Sequence, residues 1–248
     1  SGLALLGIIP RAGDEVDEDQ RLALITHDQP TSDLEEAYRS CRTALTYSTS
    51  VGIPKVLHVT SASAGEGKTT TSFSLAITVA QSGKTVLLIN GDLRNPSLQR
   101  ELDLPNEVGL TSHLTGNELL SKIVLKTPIP NLYAITTGPL PPNPAELLSS
   151  SKMQNVIEKT SRKFDLVIID SPPVLGLADA LVLANISDAT IMVVSSGDTR
   201  SGALEGSLIR LRRARANLVG AILNKHVQAT ADYGYDYNYS YGYSNRTD

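Results

Sequence analysis

The chain has 248 residues, of which 41% are hydrophobic and 19% charged, which is ordinary for a globular protein. Its net charge of −4 disfavours nucleic-acid binding, and its single cysteine excludes an internal disulfide framework and any four-cysteine metal site. No apolar run reaches the roughly 18 residues that a membrane-spanning helix requires.

The N-terminal region reads as a linker that leads into a helix. The opening "SGLALLGIIPR" indicates a piece of a longer protein, with Ser1 as a cloning remnant. Residues 11–20 are acidic and lack apolar periodicity, so we expect a loop there. A helix is predicted over 33–48, with Thr31 or Ser32 as its N-cap and acidic residues in its first turn.

The middle of the chain alternates apolar runs with helical patterns. A helix ending at Gly83 follows the first run, another begins after Pro144, and a third spans 201–215. Such alternation predicts an α/β domain with a mainly parallel central sheet and helices on both faces. The runs that predict buried strands are 55–62, 84–92, 164–170, 189–197 and 216–225.

The last 21 residues differ in composition, because aliphatic side chains nearly vanish beyond about residue 227. Such a segment cannot bury enough apolar surface to offset its conformational entropy, so we expect it to be flexible or held by a partner. The predicted organisation is therefore a linker over 1–30, a folded domain over 31–227 and a tail over 228–248.

The segment "ASAGEGKT", 62–69, fits the phosphate-binding loop pattern with Ala in place of the first Gly. It lies between a predicted strand and a predicted helix, the context in which that loop binds phosphate oxygens. Lys68 is expected to reach the β- and γ-phosphates of ATP, and the Thr69 hydroxyl to coordinate Mg²⁺. The residues expected to contact the nucleotide are Ala64, Gly65, Glu66, Gly67, Lys68, Thr69 and Thr70.

Two further strands end in acidic residues. Asp170 ends "LVIID" and Asp92 follows "LLIN", so both are expected at the carboxyl edge of the sheet beside the phosphate loop. Carboxylates there can orient Mg²⁺ through its waters. The alternatives are a turn-capping role for Asp170 and a surface ion pair between Asp92 and Arg94.

The tail contains "YGYDYNYSYGY", in which a tyrosine occupies every second position. From the residues alone, this segment is either an aromatic edge strand or a row of hydroxyl groups presented to an enzyme. A complete ATP site in the same chain favours the second interpretation. The candidate phosphate acceptors are Tyr233, Tyr235, Tyr237, Tyr239, Tyr241 and Tyr243.

Together these segments resemble the bacterial tyrosine kinases (BY-kinases) of the polysaccharide co-polymerase family. "SASAGEGKT", "LLINGDLRNP" and "LVIIDSPP" match that family's Walker A, Walker A′ and Walker B motifs. Glu36, Arg39 and Arg42 match its oligomerisation motif, although the residues alone are equally consistent with a solvated helix face that carries an i,i+3 ion pair. The tyrosine cluster is another family feature. The phosphate loop alone would indicate only the wider class of P-loop NTPases with a deviant Walker A motif, which includes the MinD- and ParA-like ATPases.

The resemblance implies a tyrosine kinase that uses ATP and Mg²⁺ and phosphorylates its own tail in trans within a ring homo-oligomer. It implies Lys68, Asp92 and Asp170 as catalytic residues, with Thr69, Asp92 and Asp170 holding the metal. Asn224 resembles a residue that reads adenine in related ATPases, although a turn-forming role is an alternative. Partners so implied are a membrane-spanning activator, fused or separate, and a cognate tyrosine phosphatase. The expected location is the cytoplasmic side of a bacterial inner membrane, with a role in exopolysaccharide or capsule export.

One residue departs from the family pattern. Asn90 replaces the first of two Walker A′ aspartates, and an amide carries no charge and cannot accept a proton at neutral pH. ATP binding remains expected, whereas the catalytic rate depends on which of two alternatives holds: either Asp92 alone suffices, or Asn90 is an engineered change that slows turnover. The competing interpretations are an ATPase switch of the MinD or ParA type and an ATP-binding scaffold with weakened catalysis.

Overall fold

A computed structural model describes residues 2–12, 32–49 and 52–227. The described residues form an eight-stranded sheet with the order β1-β8-β7-β2-β6-β3-β5-β4. All neighbouring strands are parallel except β4 and β5. The strands are β1 (Leu5–Pro10), β2 (Val56–Ser61), β3 (Val86–Asn90), β4 (Leu125–Lys126), β5 (Leu132–Ile135), β6 (Leu166–Asp170), β7 (Ala189–Ser195) and β8 (Leu218–His226).

Helices cover both faces of this sheet, as predicted. Apolar residues on one face pack under α1 and α2, and those on the other face pack under α7 and α8. Within the described ranges the helices are α1 (Asp33–Tyr47), α2 (Lys68–Gln81), α3 (Leu98–Leu102), α4 (Leu110–Thr115), α5 (Leu120–Ile123), α6 (Pro144–Leu148), α7 (Ser151–Lys163), α8 (Asp179–Asn185) and α9 (Ser201–Arg213).

The central strands are buried on both faces, which explains their near-continuous apolar sequences. Every residue of β2, β3 and β6 is buried. The predicted strands are confirmed as β2, β3, β6, β7 and β8, with ends that differ by a residue or two. The short strands β4 and β5 were not predicted, because two and four residues carry too little pattern.

The edge strand β1 was not predicted either, because it lies in the segment that reads as a linker. It pairs with β8, so residues 5–10 contribute to the same sheet as the phosphate loop. Gly7 allows α1 to approach this strand, since a Cβ atom there would collide with the Cys41 sulfur. The domain boundaries themselves stay a prediction.

Helix α1 begins as the sequence predicts. The Ser32 side chain caps it by accepting a hydrogen bond of 3.2 Å from the Glu35 amide. Glu35, Tyr38, Cys41 and Leu45 form its buried face, with the spacing of about one helical turn that an amphipathic helix requires. The helix thus packs against β1 and α2 and leaves its other face to solvent.

Candidate functional site

The phosphate loop connects β2 to α2 in a conformation that requires glycine. Gly65 and Gly67 have φ angles of +80° and +89°. A side chain at Gly67 would also collide with the Asn224 amide nitrogen. Gly67 is the N-cap of α2 and provides no capping side chain, so the amide groups of the first helical turn face the loop opening.

Exposure varies along the predicted loop, in which Ala62 and Glu66 are buried. Ala64 and Gly65 are exposed, whereas Lys68, Thr69 and Thr70 are partly buried in the first turn of α2. This is the arrangement in which backbone amides and the Lys68 ammonium can converge on an anion.

The Glu66 side chain holds the phosphate loop in place. Its buried carboxylate accepts hydrogen bonds from the Ser63 amide at 3.0 Å and from the Thr199 hydroxyl at 2.6 Å. The side chain of Glu66 therefore fixes the shape of the loop, and its predicted contact with the nucleotide stays a prediction. Thr199, on the loop after β7, was missed because nothing local in the sequence links it to Glu66.

Two residues at the end of β8 hold the same loop. Asn224 donates from its side-chain amide to the Glu66 carbonyl at 3.0 Å, and Lys225 donates to the Gly65 carbonyl at 2.7 Å. The Asn224 side chain is therefore fixed against the phosphate loop, so its role is more than forming a turn at the strand end. Its side-chain oxygen is not used in that bond, and adenine recognition by it stays a prediction.

The predicted catalytic side chains meet at the carboxyl edge of the sheet. Thr69 donates a hydrogen bond to one oxygen of Asp170 at 2.8 Å, and Ser72 donates to the other at 3.2 Å. The Lys68 ammonium lies 3.7 Å from an Asp92 carboxylate oxygen. Ser72 was missed in the sequence, although it lies one helical turn after Lys68 and its position on α2 could have indicated it.

Asp170 is fully buried among these groups. Its pKa is raised from 3.8 to about 6, chiefly by burial and to a smaller degree by Asp92, against the lowering effects of Lys68 and the Thr69 and Ser72 hydroxyls. At neutral pH the group is therefore mainly ionised. The two hydroxyl donors stabilise a carboxylate that is buried away from solvent.

The turn "NGD" places Asp92 opposite Lys68. Its middle residue must be glycine, because a Cβ atom at Gly91 would approach the Asp170 carbonyl to 2.9 Å. One Asp92 oxygen accepts hydrogen bonds from the amides of Arg94 and Asn95, at 3.2 and 3.0 Å. The other oxygen faces Lys68. Asn90, at the end of β3, accepts a hydrogen bond of 3.2 Å from the Asp92 amide.

Arg94 corrects one alternative from the sequence analysis. Its guanidinium pairs with Asp179 rather than with Asp92, through two bonds of 2.8 and 3.1 Å. Asp179 is fully buried at the start of α8, while Arg94 remains 42% exposed. The pair links the loop after β3 to the start of α8, which are neighbours in space although the two residues are 85 positions apart in sequence.

The oxygen groups of this edge suit Mg²⁺. Thr69, Asp92 and Asp170 provide a hydroxyl and two carboxylates, which are the oxygen ligands that Mg²⁺ prefers. The number of protein ligands is small, as is usual for Mg²⁺ sites. No cluster of three or more His, Cys, Asp or Glu side chains in the described ranges could hold a metal ion by itself. The residues present therefore fit an ion that keeps several waters and is completed by nucleotide phosphates.

The predicted oligomerisation residues do not meet one another. Arg39 pairs with Glu35 within α1 at 2.7 Å, and Arg42 donates to the Thr78 carbonyl of α2 at 2.8 Å. Glu36 is exposed. Their role between subunits stays a prediction.

The candidate acceptors Tyr233 to Tyr243 lie outside the described residues. Among the helices that are described, none combines the length and hydropathy needed to cross a membrane.

Comparison with known proteins identifies the family. A family model described as "AAA domain" matches residues 54–225. The chain is 39% identical over 213 residues to the tyrosine-protein kinase YwqD of Bacillus subtilis, which covers 86% of this chain and 90% of YwqD. It superposes on the kinase domain of Escherichia coli tyrosine kinase ETK with a TM-score of 0.86 at 32% identity, over 96% of each chain.

A more distant likeness shows the fold alone. The cell-division ATPase MinD of Pyrococcus furiosus matches with a TM-score of 0.61 at 24% identity, over 71% of this chain and 73% of that one. The P-loop α/β fold predicted from the sequence is thus confirmed, and so is the resemblance drawn from its motifs. The chain belongs to the AAA-domain family and, within it, to the bacterial tyrosine-protein kinases.

Proposed function

We propose that this chain transfers the γ-phosphoryl group of ATP to tyrosine hydroxyls in its own tail, between residues 233 and 243. The observation that supports this most is the convergence of Lys68, Thr69, Asp92 and Asp170 at one sheet edge, directly beside an open phosphate loop. The names of the relatives support a tyrosine as acceptor. The chain supplies six such residues within eleven positions.

In the proposed reaction, the tyrosine oxygen forms a bond to the γ-phosphorus while the bond from that phosphorus to the bridging oxygen breaks, and ADP leaves. Lys68 and the amides at the start of α2 neutralise charge on the phosphates. When bound, Mg²⁺ supplies further charge neutralisation, and Thr69, Asp92 and Asp170 would hold it. Asp92 is the carboxylate best placed to receive the phenolic proton, because one of its oxygens faces the site.

Asn90 limits this chemistry, because its amide cannot take the proton. We therefore expect Asn90→Asp to raise tail phosphorylation with little change in ATP affinity when Mg²⁺ is in excess. Incorporation of radiolabelled phosphate measures this, and equal rates for the two chains would remove the idea.

The tail also suggests how the reaction limits itself. Each phosphate adds about −1.5 to −2 charge, so six would add roughly −9 to −12 to a segment that already carries acidic residues. Such a tail is repelled by a site that contains Asp92, Asp170 and nucleotide phosphates. We propose that unmodified chains assemble as a ring homo-oligomer, and that phosphorylation separates them until a tyrosine phosphatase reverses it.

The family context gives this cycle a setting. We propose that the chain acts at the cytoplasmic side of a membrane with a membrane-spanning activator, and that its phosphorylation regulates capsule or exopolysaccharide export. Its ETK relative supports fusion as one route to that setting, since this chain covers only 30% of the full E. coli protein.

An ATPase switch of the MinD type is the second candidate, and the shared fold and Asn90 favour it. Deletion of residues 228–248 separates the two. A kinase loses nearly all incorporated phosphate, and its ATP binding is retained. A switch keeps its rate of ATP hydrolysis and never carries phosphotyrosine.

A further inference from the structure

Asn90 leaves one polar atom without a partner at the floor of the candidate site. The residue is fully buried, and its register partner on the neighbouring strand is Asp170. Its side-chain oxygen accepts the hydrogen bond from the Asp92 amide, but its side-chain nitrogen has no hydrogen-bond partner. A buried donor without a partner is costly, so an acceptor that binds beside the catalytic carboxylates would be stabilised by this amide.

The orientation of this amide follows from its neighbour. The Asp92 backbone amide is a donor and needs an acceptor, which only the Asn90 oxygen provides. Rotating the Asn90 amide by half a turn would place its N–H₂ group against the Asp92 N–H. The side-chain oxygen would then occupy the position of the unpartnered nitrogen. The unpartnered atom is therefore the nitrogen, and the group that completes it must be a hydrogen-bond acceptor.

The chemistry of the candidate ligands decides between them. A water bound to Mg²⁺ directs its lone pair at the metal and its hydrogens outward, so it cannot satisfy an N–H donor. A carboxylate at position 90 would accept from that water, but the amide nitrogen cannot. A free water and a phosphoryl oxygen can both accept from the amide, but only the phosphoryl oxygen is charged and makes the stronger bond. Only the phosphoryl contact makes nucleotide affinity depend on the Asn90 amide.

From this we infer that nucleotide binding opens the site to the enclosed Asn90 amide nitrogen, which then donates a hydrogen bond to a phosphoryl oxygen of the nucleotide. Asn90 thereby adapts the site to hold nucleotide with less dependence on Mg²⁺ than an aspartate there would allow. The inference rests on the proposed nucleotide site but adds to it a specific contact and a metal dependence. An aspartate would remove the donor and add a negative charge beside Asp92 and Asp170.

The test is to measure ATP affinity by fluorescence with a fluorescent ATP analogue, in excess EDTA and in excess MgCl₂. The chains are the natural one, Asn90→Asp, Asn90→Ala and Asn155→Asp. The last makes the same charge change at an exposed position of α7. Thermal unfolding of each chain without nucleotide confirms that it is folded.

In EDTA, we expect Asn90→Asp and Asn90→Ala to bind about tenfold more weakly than the natural chain, since a hydrogen bond to a charged group is lost. Added Mg²⁺ should restore affinity to Asn90→Asp but not to Asn90→Ala, and Asn155→Asp should follow the natural chain.

If Asn90→Ala binds as tightly as the natural chain in EDTA, the amide makes no hydrogen bond to a phosphate and the inference is wrong. Equal gains from Mg²⁺ in the natural and Asn90→Asp chains would also overturn it, although the proposed nucleotide site would stand. Absence of nucleotide binding by the natural chain under both conditions would reject the proposed site as well.

Discussion

The carboxyl edge of the sheet and helix α1 both carry family motifs, but only the motif residues at the sheet edge contact one another. At the sheet edge, Lys68 and Thr69 are brought against Asp92 and Asp170, which come from two separate strands. On α1, the motif residues diverge, and Arg42 is directed back onto α2. The motif at the strand ends brings its residues together within one chain, whereas the motif residues of α1 do not meet within the chain, and their role between subunits stays a prediction.

A second contrast lies within the arginines of these two regions. Arg94 and Arg39 are both about half exposed, and each covers a buried carboxylate, Asp179 and Glu35 respectively. Arg39 reaches one turn along its own helix, but Arg94 joins its loop to the start of α8, which lies far away in sequence. The pair at the sheet edge therefore fixes tertiary structure, and the pair on α1 mainly stabilises a helix.

The largest expected effect comes from breaking the pair at the sheet edge. Arg94→Ala leaves the Asp179 carboxylate buried without its partner, which we expect to lower the free energy of unfolding by about 3 kcal/mol. Arg162→Ala is the matched control, because its pair with Glu158 is exposed on α7, and it should cost less than about 1 kcal/mol. Urea denaturation measures both, and equal costs would show that Asp179 does not depend on Arg94.

The strand that leads into the phosphate loop contributes the next effect. His58 on β2 is buried between Thr190 and Ser171, and burial lowers its pKa to about 3 from 6.5. Because the folded pKa lies below the unfolded value, the neutral ring's full stability holds above pH 6.5 and declines as the pH falls toward 3.

Lowering the pH from 7 to 5 should therefore cost the natural chain about 2 kcal/mol more than His58→Asn, which does not titrate there. Denaturation at several pH values compares the two chains. Parallel curves over that range would mean that His58 is accessible to protons in the folded chain.

The smallest effect concerns α1. Arg42→Ala removes the bond to the Thr78 carbonyl, and we expect a loss of about 1 kcal/mol within one chain. Glu36→Ala, on the exposed face, should change stability by less than about 0.5 kcal/mol. If light scattering shows that Glu36→Ala nevertheless lowers the oligomer mass, the helix face serves assembly, and an unchanged mass would count against the predicted ring contact.

The sequence was sufficient for the parts of the fold that depend on local pattern. Buried parallel strands are continuously apolar, and the phosphate loop requires glycines between a strand and a helix, so β2, β3 and β6 and the loop could be predicted. The contact of Arg94 with Asp179, and that of Thr199 with Glu66, could not be predicted. Each joins segments that are distant in sequence, and several acidic or hydroxyl residues were equally plausible partners.

Asn90 shows the same limit at a single residue. Its identity alone predicted a loss of charge and of a proton acceptor. Only the structure shows that the Asp92 amide occupies the side-chain oxygen, which leaves a donor and not an acceptor at the floor of the site.

The most direct test of the central claim mixes two chains that cannot phosphorylate themselves. One lacks residues 228–248 and keeps the site, in its natural form or with Asn90→Asp. The other is the full chain carrying Lys68→Met, which has acceptors but no catalytic lysine. With Mg²⁺ and ATP, tandem mass spectrometry should find phosphate on tyrosines between 233 and 243 of the Lys68→Met chain. If those tyrosines remain unmodified with either form of the first chain, this site does not phosphorylate the tail of a neighbouring molecule.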